Sequence, residues 1–81
     1  MTTIEKLSEF NPNFIIHEGY NDAIIGFYDR RVLVYDYNKF IEIMMNKEGF
    51  DLYDCLDFFY FNIDTVKTEN SPIFIEKKIL L

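Results

Sequence analysis

At 81 residues, with 49% hydrophobic and 19% aromatic side chains, the chain has the length of one domain, residues 1–81, and too much apolar content to stay disordered. Fourteen acidic against eight basic residues leave a net charge of −6, which argues against direct binding of nucleic acid and suits either a basic partner surface or solubility alone. The single cysteine, Cys55, rules out an internal disulfide and a cysteine-rich zinc site.

A domain this small buries only about 60–65% of its unfolded surface, so its core must be efficient. Nine Phe and six Tyr answer that need, because each buried ring removes roughly 150–250 Å² from water. No run approaches the ~18 apolar residues of a membrane span, and Met1-Thr2-Thr3-Ile4-Glu5-Lys6 does not read as a signal peptide. The expected location is the cytoplasm, with no membrane partner.

In chain order, Thr3 to Phe10 reads as a short helix capped by Thr3, with Ile4, Leu7 and Phe10 on one stripe. Asn11-Pro12-Asn13 ends it. Phe14-Ile15-Ile16 is a short apolar run, strand or packed loop, and His17 to Asp22 is a polar turn. Ala23 to Tyr28 is a strand with Gly26 inside it, the mark of a bulge or a close backbone approach. Asp29-Arg30-Arg31 turns the chain without an Asn-Gly or Asp-Gly signature, which leaves the turn type open. Val32-Leu33-Val34-Tyr35 is a second strand, and the two runs predict an antiparallel hairpin.

Asp36 or Asn38 caps a helix that runs through Lys47 and that Gly49 ends. Its Phe40, Ile41, Ile43, Met44 and Met45 cover a broad arc, which predicts burial on more than one side. Asp51 caps a second helix, in which Leu52, Cys55, Leu56, Phe59 and Ile63 follow an i, i+3, i+4, i+7, i+11 stripe and predict its core face. Val66 to Ser71 is a polar connector. Pro72 to Glu76 is a last strand, with proline at its start where a missing N–H is tolerated, and Lys77 to Leu81 is a tail.

The predicted fold is α+β. A small antiparallel sheet, the hairpin plus the C-terminal strand, packs in two layers against a pair of helices, with the short N-terminal helix added. The short link between the helices makes them antiparallel neighbours. The final strand is then expected beside the second strand and antiparallel to it.

Motifs that carry chemistry are sparse. Cys55 and His17 form the one nucleophile–base combination, and Cys55 sits on the core stripe. Asp51, Asp54 and Asp57 recur every three residues, yet the first reads as a cap and the others as a solvated face. There is neither a calcium-loop pattern nor a Gly-rich phosphate loop. The expectation is a non-enzyme without catalytic residues, metal ligands or cofactors.

Two features point instead to binding. Tyr35-Asp36-Tyr37 stands where a strand hands over to a helix, as two packed tyrosines around a cap or as a surface hot spot. Phe58 and Phe61 fall off the core stripe on the side of Asp54 and Asp57. They lie either under the N-terminal segment or in an exposed patch bordered by Asp54, Asp57 and Asp64.

Four segments occur in order: Asp22-Ala23-Ile24-Ile25-Gly26, Val34 to Ile43, Phe59-Tyr60-Phe61-Asn62-Ile63 and Pro72-Ile73-Phe74-Ile75. As a set, over residues 18 to 76, they resemble a family of small bacteriophage and prophage proteins. Relatives of that kind often carry a small residue and Gly-Ala-Tyr after the Phe-Asn pair, where this chain has Ile63-Asp64-Thr65-Val66, so no role of that loop carries over. The resemblance implies no activity and no catalytic residue. It implies a phage-encoded protein, working in the cytoplasm of a bacterial host, that binds host or phage machinery. An inhibitor of a host-defence nuclease complex, of the anti-CRISPR type, is the sharpest form of that expectation. A homodimeric structural accessory paired through Phe58 and Phe61 is the alternative, and a small-ligand binder using the Tyr35-Asp36-Tyr37 corner a third.

Overall fold

A computed structural model describes residue 9, residues 11–65 and residues 67–76. The predicted helix from Thr3 to Phe10, apart from Glu9, lies outside the described residues, as do Val66 and the tail from Lys77 to Leu81. The described elements are β1 (Ile24–Tyr28), β2 (Val32–Asp36), α1 (Tyr37–Glu48), α2 (Leu52–Phe59) and β3 (Ile73–Ile75). Phe14 to Ile16 is a packed loop with Phe14 buried, and Asn21–Ala23 forms one 3₁₀ turn before β1. The fold is α+β, a small sheet packed on two helices. No helix among the described residues is long and apolar enough to cross a membrane.

The hairpin forms as the sequence predicts. β1 and β2 pair antiparallel, and the register slips between Ile24 and Gly26, so the glycine does mark a bulge. Asp29 and Arg30 both take φ of 53°, and the Arg31 N–H donates to the Tyr28 carbonyl at 3.1 Å. Both central residues of that turn are left-handed, as in a type I′ turn, although neither is glycine, and three residues, Asp29 to Arg31, separate the paired Tyr28 and Val32. The Asn11 side chain holds it from outside by donating to the Arg30 carbonyl at 2.8 Å.

The helix ends also follow local chemistry. Asp36 accepts from the Lys39 N–H at 3.2 Å and Asp51 from the Asp54 N–H at 2.9 Å, each satisfying a donor the helix start leaves open. Gly49, at φ 71°, closes α1 by donating to the Met45 carbonyl at 3.0 Å. A Cβ there would meet no neighbour, so Gly49→Ala is expected to cost only the left-handed backbone penalty of about 1 kcal/mol. Gly19, at φ 89°, differs because a Cβ would collide with the Lys47 ammonium. Lys47 donates to the Glu18 carbonyl and lies 4.8 Å from the Tyr20 ring centre. Gly19→Ala is therefore expected to destabilise more than Gly49→Ala in urea unfolding. Equal losses would show that Lys47 shifts aside freely.

One prediction is corrected. β3 lies beside β2, giving the order β1-β2-β3, but it runs parallel to β2, with Tyr35 opposite Phe74. The helices are antiparallel, since Phe59 at the end of α2 packs edge-on against Tyr37 at the start of α1, 5.0 Å between rings. That return leaves the chain at the C-terminal end of β2. The connector then carries it back the length of the strand, where Glu69 meets Arg31 at 3.3 Å. β3 starts from that end, and the sheet is mixed rather than antiparallel.

The core lies between sheet and helices and is centred on Phe40, which is fully buried. Tyr20 stacks on it at 4.0 Å, while Phe74, Tyr35, His17 and Phe59 meet it edge-on at 5.0 to 5.9 Å. Such offset and edge-to-face pairs add about 0.5–1.5 kcal/mol each beyond their buried area. Leu33, Met44 and Cys55 complete the fully buried set with Tyr35.

Candidate functional site

α2 is largely uncovered. Only Cys55 and Phe59 are buried along it. Leu52 and Leu56, predicted as core, are 47% and 36% exposed. The correction has a geometric cause. At about 100° per residue, Cys55 and Phe59 point at the neighbouring core, and Leu52 and Leu56 fall on the flank beside α1.

After Phe59 the helix widens. The Thr65 N–H donates to the Tyr60 carbonyl at 3.0 Å, an i→i+5 bond, and residues Tyr60–Asp64 form one π turn. The Asn62 amide and Thr65 hydroxyl close the end by donating to the carbonyls of Phe58 and Phe61. Ile63, the last residue of the predicted stripe, is half-buried there.

The opposite side of α2 carries the predicted patch. Phe58 is 42% and Phe61 66% exposed. Phe58 leans on Phe50 at 5.9 Å, and Phe61 meets Tyr60 edge-on at 5.3 Å. Asp54 and Asp57 are exposed between them, and among the described residues neither carboxylate has a cation within ion-pair distance. Tyr53 and Tyr60, which sequence reasoning passed over, belong to this face and are mostly exposed. Their signal was present, since Tyr53, Asp57 and Tyr60 follow i, i+4, i+7.

Asp64 stands apart from Asp54 and Asp57. It is half-buried and bonded to Lys67 at 2.7 Å, which neutralises it locally. The Tyr35-Asp36-Tyr37 corner takes the structural form of its two readings. Tyr35 is wholly buried, its hydroxyl accepting from the His17 N–H at 2.9 Å, so it offers nothing to a partner as a surface hot spot. Asp36 is the α1 cap. Tyr37 packs on Phe59 and is half-buried; it edges two open concavities of about 660 and 350 Å³. Burial raises its pKa, with Glu76 and Asp64 adding to the shift.

The two groups with nucleophile or base chemistry are held in their neutral forms. Burial pushes the Cys55 thiol up, and the carboxylates of Asp51, Asp54 and Glu48 push the same way, the reverse of an activated nucleophile. No cluster of three or more metal-ligating side chains occurs among the described residues.

His17 sits among the rings of Phe40, Tyr35 and Phe74, and burial lowers its pKa from the ordinary value of about 6.5. Below that value the unfolded chain binds a proton more readily than the folded one, so His17 favours the fold above it and loses that contribution as pH falls toward the folded pKa. Stability should thus drop more between pH 7.5 and 5.5 in the natural protein than in His17→Gln, as read by urea midpoints. Identical slopes would remove His17 as the cause.

Comparison with family models, curated proteins and solved structures yields no match to this chain.

Proposed function

We propose that this chain is a non-enzymatic, phage-type protein that binds and modulates a host or phage protein through the outer face of α2. The observation that carries the reading is one helix exposing Tyr53, Phe58, Tyr60 and Phe61 around two carboxylates, Asp54 and Asp57, that have no ion-pair partner among the described residues. Aromatic anchors supply the tight contact in most interfaces, and charge supplies steering and selection. With a net charge of −6, the fitting partner surface is basic. A groove that normally holds nucleic acid has that character, and blocking one is how an anti-CRISPR-type inhibitor of a defence nuclease would act. Work in the bacterial cytoplasm belongs to the same proposal.

Affinity capture from a bacterial host tests it. The natural protein should retain a specific partner that Asp54→Lys/Asp57→Lys loses, with both proteins equally folded by circular dichroism. Equal capture by both would remove the acidic-face mechanism.

The homodimer reading draws on the same exposed rings. It meets an electrostatic cost, because pairing these faces across a two-fold would bring Asp54 and Asp57 of both copies together. Light scattering separates the readings, a strict monomer at high concentration ending the dimer.

A further inference from the structure

The flank of α2 that the sequence assigns to the core opens instead into a groove of about 350 Å³ shared with α1. Ile41 and Met45 form one wall and Leu52 and Leu56 the other. Ile41 is nearly covered, whereas Met45, Leu52 and Leu56 are each at least one-third exposed. With Tyr37, the α1 wall follows an i, i+4, i+8 row, about 12 Å long. That length takes two apolar side chains spaced one helical turn apart. The charged groups on the rim are Glu42 and Glu76, and among the described residues no cationic side chain lines the groove. Lys39 reaches Glu42 from outside at 3.5 Å, an exposed pair that water screens.

We propose that the groove between α1 and α2 docks a cationic amphipathic segment of the partner protein, its apolar side chains between Leu56 and Met45 and its lysines or arginines against Glu42 and Glu76. The proposal rests on the reading of this chain as an interaction protein and adds a second contact surface beside the outer face of α2. Helix-in-groove recognition works in this way, with apolar anchors giving affinity and rim charges giving register. A second copy of the chain suits the groove poorly, because each copy carries a net charge of −6 and acids already rim the site.

The test is an NMR titration of the isotope-labelled full chain with a synthetic helix-forming peptide bearing two leucines four residues apart and four lysines. A peptide with glutamates in place of the lysines is the control. The cationic peptide should shift signals of Ile41, Met45, Leu52 and Leu56 saturably, and the acidic one should not. Leu52→Gln/Leu56→Gln should weaken binding at least about tenfold, within the range of interface anchors, and Glu42→Lys should weaken it in the same direction. Both leucines are exposed and glutamine is a good helix former, so the fold should persist, as the unfolding midpoint will show.

Shifts confined to the outer face of α2, or equal binding of both peptides, would overturn the proposal. So would groove signals that move with protein concentration alone, which would make a second copy the occupant. Contacts from the chain's own Lys77-Lys78-Ile79-Leu80-Leu81 to Leu52 or Leu56 in the free protein would overturn it too. The two readings fail separately. If Asp54→Lys/Asp57→Lys abolishes partner capture and the leucine variant does not, the groove proposal falls and the outer-face reading stands. The reverse pattern removes the outer face and keeps the groove.

Discussion

Phe40→Ala is expected to cost about 3–5 kcal/mol of folding stability, the range for deleting a buried phenylalanine ring. A chain of this length has roughly 4–12 kcal/mol in total, so the variant should sit near the unfolding threshold at room temperature. The reason is position rather than size alone. Phe40 is the ring that Tyr20, Tyr35, Phe59 and Phe74 all touch, so its loss opens a cavity that strands and both helices border. Relaxation cannot close such a cavity from one side, and the lost contacts add to the lost burial. Urea unfolding followed by tyrosine fluorescence or circular dichroism measures the effect. A loss below about 1 kcal/mol would mean that the core is not organised around this ring.

Phe61→Ala should show the opposite profile. The ring is two-thirds exposed and touches little besides Tyr60, so stability should change by no more than about 0.5 kcal/mol. Affinity for the captured partner should nevertheless fall by about 2 kcal/mol, roughly 30-fold, if Phe61 is an anchor of the interface. The contrast between these two phenylalanines is the useful quantity. An exposed ring in a patch with its neighbours is what the proposed binding role would use. An affinity unchanged by Phe61→Ala would move the contact to another part of the surface.

Features set by near neighbours were legible in the sequence. Asp36 and Asp51 cap their helices, Gly49 closes α1 and Gly26 marks a bulge, because each depends on a few adjacent backbone groups. The direction of β3 was not legible. It depends on the path of the connector, which passes Arg31 at Glu69, and on the seating of Phe74 against Tyr35 across the sheet. The periodicity of α2 found the correct helix and half of its buried face. It could not show that α1 covers Cys55 and Phe59 but leaves Leu52 and Leu56 open, since a repeat reports which residues share a face and not how wide the neighbour is. Of the proposed contact residues, Asp54, Asp57, Phe58 and Phe61 share one exposed side, while Tyr35 serves the core and Asp64 is tied to Lys67. Burial separates the candidates, and burial is a tertiary property.

The affinity of the captured partner for the natural protein and for Asp54→Lys/Asp57→Lys, titrated at low and at high salt, tests the outer face of α2 most directly. The double reversal should weaken binding by about 100-fold or more at low salt, because it replaces two attractive contacts with two repulsive ones, and the gap should narrow as salt rises. Equal affinities at both salt concentrations would contradict the assignment of this face as the binding surface.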